Sequence, residues 1–271
     1  MDESTHFLIE PSGLTAALAN GAVLIDARPG DEFKRGHIPG AVPFSTYDVF
    51  VPNTSVDGMK TFAQAMGQRF SIAGVSNERQ VIVYDDDTGR FASRELWTLE
   101  YLGHRHARML HGGLRQWQAE GGALSTNTDI ATVRSKKLQL SVGSGCLAGA
   151  SEIAHRAGTA NFSVIDVRSE GEWAGDEGLP CCKRRGHIPN AIHIEWTRFL
   201  ENGRFKSPQA TAALLTQYGI NPFHDIVVYS HRGARSANAY YALRHAGVAG
   251  ARNFIGSWHE WSARNDLPVQ P

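Results

Sequence analysis

The sequence contains Arg35-Gly36-His37-Ile38-Pro39-Gly40-Ala41 and, later, Arg185-Gly186-His187-Ile188-Pro189-Asn190-Ala191. The two stretches differ at one position, and the segments around them also repeat, in the same order. An Asp-x-Arg segment precedes each stretch (23–28 and 164–168). An apolar segment that ends in tyrosine follows it (81–84 and 226–229). A segment that begins with glycine and ends in tryptophan closes each unit (112–117 and 256–261). This order indicates a tandem duplication.

The duplication predicts two domains of the α/β class. Residues 126–137 are polar and lack clear periodicity, which is typical of a linker, so we expect domains over 1–125 and 138–271. In each half, short β-branched segments alternate with segments of helical periodicity. This alternation predicts a parallel sheet with helices on both faces, and ligands beyond the carboxyl ends of the strands.

The composition excludes several classes of partner. Lys+Arg and Asp+Glu both number 27 in the 271 residues, so no overall positive field attracts nucleic acid or a membrane surface. No apolar run approaches the ~20 residues that span a bilayer. Residues 1–6 lack the basic start and apolar core of a signal peptide. Three cysteines do not form a disulfide framework, and we therefore expect a cytoplasmic protein.

The segment Ser230-His231-Arg232-Gly233-Ala234-Arg235 follows the last tyrosine-ended strand and precedes a helical pattern. A short glycine-containing loop at the start of a helix can direct its backbone N–H groups to one centre. Such a centre binds an anion and lowers the pKa of a thiol placed there. The two arginines add positive charge and His231 can donate a hydrogen bond. The loop therefore predicts an anion site.

The tandem halves, the Asp-x-Arg segments, the Gly-His-Ile-Pro stretches and the loop ending Gly-x-Arg together resemble the rhodanese family over essentially the whole chain. The two-domain thiosulfate and 3-mercaptopyruvate sulfurtransferases are the most similar members. The resemblance implies two rhodanese-like domains, of which the first is catalytically silent, and no cofactor or metal. It also implies a cysteine at the first loop position, which takes sulfur as a persulfide from a small anionic donor and passes it to a thiol or cyanide.

The matching position holds Ser230. A serine hydroxyl is barely ionised near neutral pH, and an O–S linkage is not a stable persulfide equivalent. We therefore expect a sulfurtransferase architecture that is inactive as written, whether the serine is natural or engineered. The alternative is a non-enzymatic rhodanese-like protein that binds an anion or a partner. Phosphatases of this fold are less similar, since their loop has five residues before the arginine and this loop has four.

The resemblance assigns roles to individual residues. The catalytic set is Ser230 (the position of the nucleophile), Arg168 and Arg235, and the substrate-binding set is His231, Arg232, Gly233 and Ala234. For Arg168 a structural salt bridge with Asp166 or Glu172 is the alternative, because the silent half has Arg28 in the same motif. The pair His231-Arg232 favours thiosulfate over 3-mercaptopyruvate.

Structural roles are favoured for several other conspicuous residues. We interpret Asp85–Asp87 as turn residues rather than a magnesium or calcium site, because EF-hand spacing is missing. Because both copies contain the histidine of Gly-His-Ile-Pro, we expect His37 and His187 to serve the fold. Trp258 could border the pocket but is most simply a core aromatic residue.

The cysteines are also interpreted structurally. Cys181 and Cys182 lie in an insertion, 174–183, that the first half lacks, and we favour a surface loop in which these thiols have no partner. The alternative is a flap that carries a thiol beside the loop. Cys146 is expected to be a small buried residue.

Overall fold

A computed structural model describes residues 7–46, 48–129 and 136–271. The chain forms two compact units. The first comprises the described parts of Met1–Val49, Lys60–Gly143 and Asn202–Arg204, and the second comprises Phe50–Met59, Ser144–Glu201 and Phe205–Pro271. The amino-terminal residues 1–6 and residues 130–135 of the predicted linker lie outside the described residues. No helix in the described ranges is long and apolar enough to cross a membrane.

The main boundary between the two compact units lies after Gly143, a few residues beyond the predicted start of the second domain at 138. Leu138 is buried with the first unit, at 3% exposure. The N–H groups of Ser141 and Gly143 donate to the carbonyls of Leu102 and Tyr101, each at 3.0 Å. These contacts depend on tertiary structure, and the polar composition of the neighbouring residues did not indicate them.

The first unit contains a five-stranded parallel sheet in the order β1-β5-β4-β2-β3. Its strands are β1 (Leu8–Ile9), β2 (Val23–Asp26), β3 (Ala41–Pro43), β4 (Val81–Tyr84) and β5 (Ala107–Leu110). The helices that alternate with them are α1 (Pro11–Ala19), α2 (Gly30–Arg35), α3 (Val56–Ile72, which belongs to this unit from Lys60 onward), α4 (Arg90–Tyr101) and α5 (Gly113–Ala119).

The second unit repeats this plan with a four-stranded parallel sheet, β11-β10-β6-β7. These strands are β6 (Phe162–Asp166), β7 (Ala191–His193), β10 (Asp225–Tyr229) and β11 (Ala251–Asn253), and a short hairpin is formed by β8 (Leu200–Glu201) and β9 (Arg204–Phe205). The helices are α6 (Ala150–Arg156), α7 (Glu170–Ala174), α8 (Pro208–Gln217), α9 (Ala234–His245) and α10 (Ser257–Ala263), with a 3-10 helix at Trp196–Phe199.

The central strands are apolar throughout because both sides of each strand are covered. All residues of β4, and all of β10 from Ile226 to Tyr229, have no exposed surface. A continuous β-branched segment is typical of a parallel strand that is buried on both faces. Alternating apolar and polar residues would place polar side chains inside such a sheet. The predicted α/β class with parallel sheets is confirmed.

A buried ion pair stands at the end of β6. Asp166 and Arg168 are 0% and 2% exposed, and their side chains are 2.5 Å apart. The guanidinium also donates to the carbonyl of Gly186 at 2.8 Å. Asp166 is in register with Tyr229 of β10, whose hydroxyl accepts the N–H of Ile188 at 3.1 Å. The network therefore ties the two strand ends to the Gly-His-Ile-Pro turn.

The first unit contains the same network. Asp26 pairs with Arg28 at 2.7 Å and accepts the Tyr84 hydroxyl at 2.7 Å, and Tyr84 accepts the N–H of Ile38 at 3.1 Å. Arg28 also donates to the carbonyl of Gly36 at 2.7 Å. The Asp-x-Arg motif is thus a component of the fold in both copies.

Replacing Asp166 should test how much this network stabilises the second unit. Asp166→Ala leaves the Arg168 charge buried without its partner, a change that typically costs about 3–5 kcal/mol in free energy of unfolding. Urea denaturation measures the loss. Asp266→Ala is the matched control, because Asp266 pairs with an arginine two residues away but at the surface, and it should leave the midpoint nearly unchanged. Equal midpoints for the two variants would contradict the assignment.

Candidate active site

The first residue of the predicted loop, Ser230, lies between β10 and α9 and is 1% exposed. Its N–H donates to the Ser257 Oγ at 3.1 Å, and its carbonyl accepts the Trp258 N–H at 2.9 Å. Its own Oγ accepts the Gly233 N–H at 3.1 Å. The side-chain oxygen therefore faces the loop at the amino-terminal end of α9, where the helix dipole is positive.

Gly233 and Ala234 shape the loop through their small size. Gly233 has a φ of +84°, and a Cβ there would lie 2.6 Å from the Ile255 carbonyl oxygen. Only glycine fits this position without strain. Ala234 begins α9 and is buried at 7% exposure. The structure thus brings both residues to the loop, where the sequence predicted them.

The matching position in the first unit is Asp85, because the Leu114 N–H donates to its carbonyl as the Trp258 N–H does to that of Ser230. The Asp85 carboxylate accepts the N–H groups of Gly89, Phe91 and Ala92 at 3.0–3.1 Å. Burial raises the pKa of Asp85 to about 7, although these N–H groups favour the ionised form. The anion position of the first copy is therefore filled by the chain itself.

Two aspartates of this first loop bind groups of the first unit, in keeping with the turn interpretation. The Asp85 carboxylate accepts backbone N–H groups of the same loop, and Asp86 pairs with Arg28 at 3.3 Å.

Arg235 lies at the end of the loop, and its charge is balanced by a carboxylate. It makes two hydrogen bonds to the Glu172 carboxylate, at 2.6 and 2.9 Å. Burial by itself would raise the pKa of Glu172, but the ion pair with Arg235 outweighs it and holds the pKa at about 2. Glu172 also closes the capping box of α7 with Ser169. The pair therefore joins the start of α9 to the start of α7.

Arg168 makes the contacts of the structural alternative. Besides the Asp166 pair, its guanidinium lies 4.6 Å from the centre of the Trp258 ring. Trp258 is 3% exposed, belongs to the apolar core and bonds to the Ser230 carbonyl. Arg168 thus supports the loop through Trp258, and a direct contact with a sulfur donor stays a prediction.

Arg232 lies against an aromatic ring and not against a carboxylate. The guanidinium lies 4.6 Å from the centre of the Phe50 ring, a cation–π contact within the second unit. Its Nε is buried without a hydrogen-bond partner, and none of the described carboxylates forms an ion pair with it. An uncompensated cation beside the start of α9 favours an anionic ligand.

The favoured interpretation of the adjacent cysteines is wrong, because the structure places both of them at His231. The Sγ atoms of Cys181 and Cys182 each lie 3.3 Å from the His231 Nε2, and 3.8 Å from each other. Burial raises the pKa of the Cys182 thiol to about 11. Burial, reinforced by the Arg232 charge, lowers the pKa of His231 to about 4, so this imidazole is neutral near pH 7.

Arg184 explains why the insertion takes this position. Its guanidinium donates to four backbone carbonyls at 2.6–3.0 Å, those of Trp261, Ser262, Arg264 and Leu267. The Cys182 N–H closes a turn on the Leu179 carbonyl at 2.9 Å. Because these bonds join residues about 80 positions apart, the sequence did not indicate them.

Ser257 is a site residue that the sequence analysis missed. It has a φ of +54°, and the matching Gly113 has a φ of +58°. A side chain in this left-handed region typically costs about 1–2 kcal/mol. The Ser257 hydroxyl accepts the Ser230 N–H and donates to the Phe254 carbonyl at 2.8 Å. The serine at the position of Gly113, next to the shared glycine that begins both segments, was the available indication.

The remaining structural interpretations are confirmed. His187 stacks on Trp173 at 3.5 Å between ring centres and its Nδ1 bonds to the Trp173 carbonyl. His37 makes the same two contacts with Phe33. Cys146 is buried at 5% exposure.

The Glu172 pair gives an expected pH dependence. The pKa of Glu172 in the folded chain is about 2, below the ~4.3 of a glutamate in an unfolded chain. The ionised carboxylate therefore stabilises the fold fully above pH ~4.3, and this stabilisation is lost as the pH falls towards 2. Glu172→Gln should lower the free energy of unfolding by roughly 1.5–3 kcal/mol at neutral pH, with the difference shrinking below pH ~4.3. Urea midpoints across pH measure it.

The first copy provides a control for this experiment. Glu32→Gln removes the matching carboxylate, which pairs with the exposed Arg35 at the surface, and should change stability little at any pH. A loss in Glu172→Gln that does not vary between pH 7 and 2 would contradict the role of the ion pair.

Comparison with known proteins agrees with this geometry. A family model described as "Rhodanese-like domain" matches residues 10–120 and 149–264. The chain is 30% identical to a thiosulfate sulfurtransferase of Pseudomonas aeruginosa over 97% of its length and 96% of the relative. It is 29% identical to a thiosulfate sulfurtransferase of Azotobacter vinelandii over 98% of both chains.

Among solved structures, an anaerobic ergothioneine biosynthesis enzyme from Chlorobium limicola superimposes with a TM-score of 0.86. The match covers 100% of this chain and 72% of that one at 19% sequence identity, and so supports the fold alone. Because the family model matches both copies and the curated relatives align over nearly their full lengths, this chain belongs to the rhodanese family and has a two-domain sulfurtransferase scaffold.

Proposed function

We propose that the loop Ser230–Arg235 binds a small anionic sulfur donor of the thiosulfate type, and that the chain with Ser230 holds this donor without forming a persulfide there. The observation that carries the proposal is the first copy, where a carboxylate at the matching position accepts three backbone N–H groups. In the second copy the same strand–loop–helix arrangement holds a small neutral hydroxyl, which leaves the anion position to an external ligand.

The charges around the loop support an anionic ligand. Arg168 and Arg235 are balanced by Asp166 and Glu172, so Arg232 supplies the uncompensated charge. We assign Arg232 to donor binding, and Arg168 and Arg235 to positioning of the loop. The similarity to two thiosulfate sulfurtransferases and the cationic side chain of Arg232 favour thiosulfate over 3-mercaptopyruvate as the donor. A cytoplasmic location stays a prediction from the sequence.

The proposed absence of chemistry at Ser230 follows from its hydroxyl. A thiolate attacks the outer sulfur of thiosulfate, the S–S bond breaks, sulfite leaves with the bonding electron pair, and a persulfide forms. Cyanide or a thiolate then takes the terminal sulfur and restores the thiolate. Serine cannot begin this sequence, because its hydroxyl is neither readily ionised nor thiophilic.

Thiosulfate binding should be detectable in the chain with Ser230. Thiosulfate is expected to raise the melting temperature, since a ligand of the folded state alone stabilises it. Arg232→Ala should weaken thiosulfate affinity by about tenfold or more, which corresponds to about 1.4 kcal/mol. Isothermal calorimetry measures this affinity. Arg198→Ala is the control, since Arg198 is an exposed arginine of the 3-10 helix, and equal affinity in both variants would contradict the role of Arg232.

Restoring a thiol should restore transfer. Removing a nucleophile can cost an enzyme up to about 10⁶-fold in kcat, so Ser230→Cys is expected to raise thiosulfate:cyanide transfer by at least about 100-fold. Thiocyanate formation measures the rate, and Ser230→Ala is the control. If Ser230→Cys neither binds thiosulfate nor produces thiocyanate, the alternative of a non-enzymatic partner-binding protein is favoured.

A further inference from the structure

Cys181 and Cys182 have no role in the function proposed above, and together with His231 of the loop they form a cluster of possible metal ligands. Its three donor atoms are the two Sγ atoms and the imidazole Nε2, and all lie within 3.8 Å of one another. Among the residues that the structure describes, these three side chains form a group that could hold a metal ion. Cys181 is exposed and Cys182 half-buried, so an ion can reach the cluster from solvent.

The separations of these atoms match a tetrahedral ion. Zn–S bonds of about 2.3 Å and a Zn–N bond of about 2.05 Å at tetrahedral angles require S···S and S···N separations of about 3.8 and 3.6 Å. The observed separations are 3.8 Å between the sulfur atoms and 3.3 Å from each sulfur to Nε2. An ion could therefore enter with shifts of a few tenths of an ångström.

The type of donor selects the class of ion. Two sulfur atoms and an imidazole nitrogen suit zinc and similar thiophilic ions, whereas magnesium and calcium prefer oxygen. Two thiolates would balance the charge of a divalent ion, so the nearby Arg232 does not oppose binding. With three protein ligands, the fourth tetrahedral position stays open to solvent or a small ligand.

The insertion is also held well enough to present its thiols. The four hydrogen bonds from Arg184 to backbone carbonyls fix the residues directly after the cysteines. His231 is held from the other side, because its carbonyl accepts the His259 N–H at 3.0 Å. Both arms of the cluster are therefore anchored independently of any ion.

We propose that Cys181, Cys182 and His231 form a three-ligand binding site for a thiophilic divalent ion of the zinc class, with an open fourth position beside the loop. The site does not depend on the sulfur donor or on residue 230. One of its three ligands, His231, is the second residue of the loop Ser230–Arg235.

Cobalt and zinc titrations test this site in the full-length, reduced and chelator-treated protein. Co²⁺ is expected to bind one ion per chain and to give the intense visible bands of tetrahedral cobalt together with a thiolate-to-cobalt charge-transfer band. Zn²⁺ should displace it. Cys181→Ser, Cys182→Ser and His231→Gln should each weaken Zn²⁺ affinity by more than about 100-fold, beyond what losing an outer-shell partner costs.

Cys146→Ser is the matched control, because Cys146 is the remaining cysteine and is buried outside the cluster, and this variant should retain the wild-type affinity. Circular dichroism confirms that each variant is folded. An octahedral cobalt spectrum, or unchanged Zn²⁺ affinity in the Cys181→Ser/Cys182→Ser double variant, overturns the proposal. So does a protein that binds no Zn²⁺ but acquires sulfur on Cys181 or Cys182 from thiosulfate, which would make the thiols sulfur carriers. Thiosulfate affinity measured separately reports on the donor site alone.

Discussion

The buried ion pair between Asp166 and Arg168 is the interaction on which the rest of the second unit's site depends. The register of β6 against β10 sets Asp166 beside Tyr229, the residue directly before the loop. Arg168 then binds the Gly186 carbonyl, and Tyr229 accepts the Ile188 N–H. A charge buried this deeply is tolerated only with its partner in place. The pair therefore sets the point from which the loop begins.

The two copies place different side chains in the same strand–loop–helix arrangement. The first copy fills its anion position with its own Asp85 carboxylate, and the second has the small side chain of Ser230 there. The second copy also accepts the strain of a serine at φ +54°, where the first has glycine, and uses its hydroxyl to hold the Ser230 N–H. The loop residues thus differ between the copies, while the Asp-x-Arg ion pair is present in both.

Their binding partners separate four arginines of the second unit into three groups. Arg168 and Arg235 each bind a carboxylate and connect elements of the fold. Arg232 stacks on Phe50 and is the arginine that we propose for donor binding. Arg184, which binds only backbone carbonyls among its described contacts, positions the insertion. The structural role of each of these arginines therefore follows from whether it meets a carboxylate, an aromatic ring or backbone carbonyls.

The sequence by itself determined the duplication, the parallel α/β class, the positions of the central strands β2, β4, β6 and β10, and the loop at residues 230–235. These features follow from local periodicity and from repetition, which are properties of neighbouring residues. The fold role of His187 and the burial of Cys146 were also correctly expected.

Only the tertiary structure decided which charges are compensated, where the first unit ends and where the insertion lies. The partner of Arg235 is Glu172, residues 136–143 belong to the first unit, and the thiols of Cys181 and Cys182 meet His231. Each depends on which of several possible polar partners or surfaces comes within about 3 Å once the chain has folded. A single sequence contains no record of that choice, because a hydrogen bond or ion pair is specified by distance in space and not by separation along the chain.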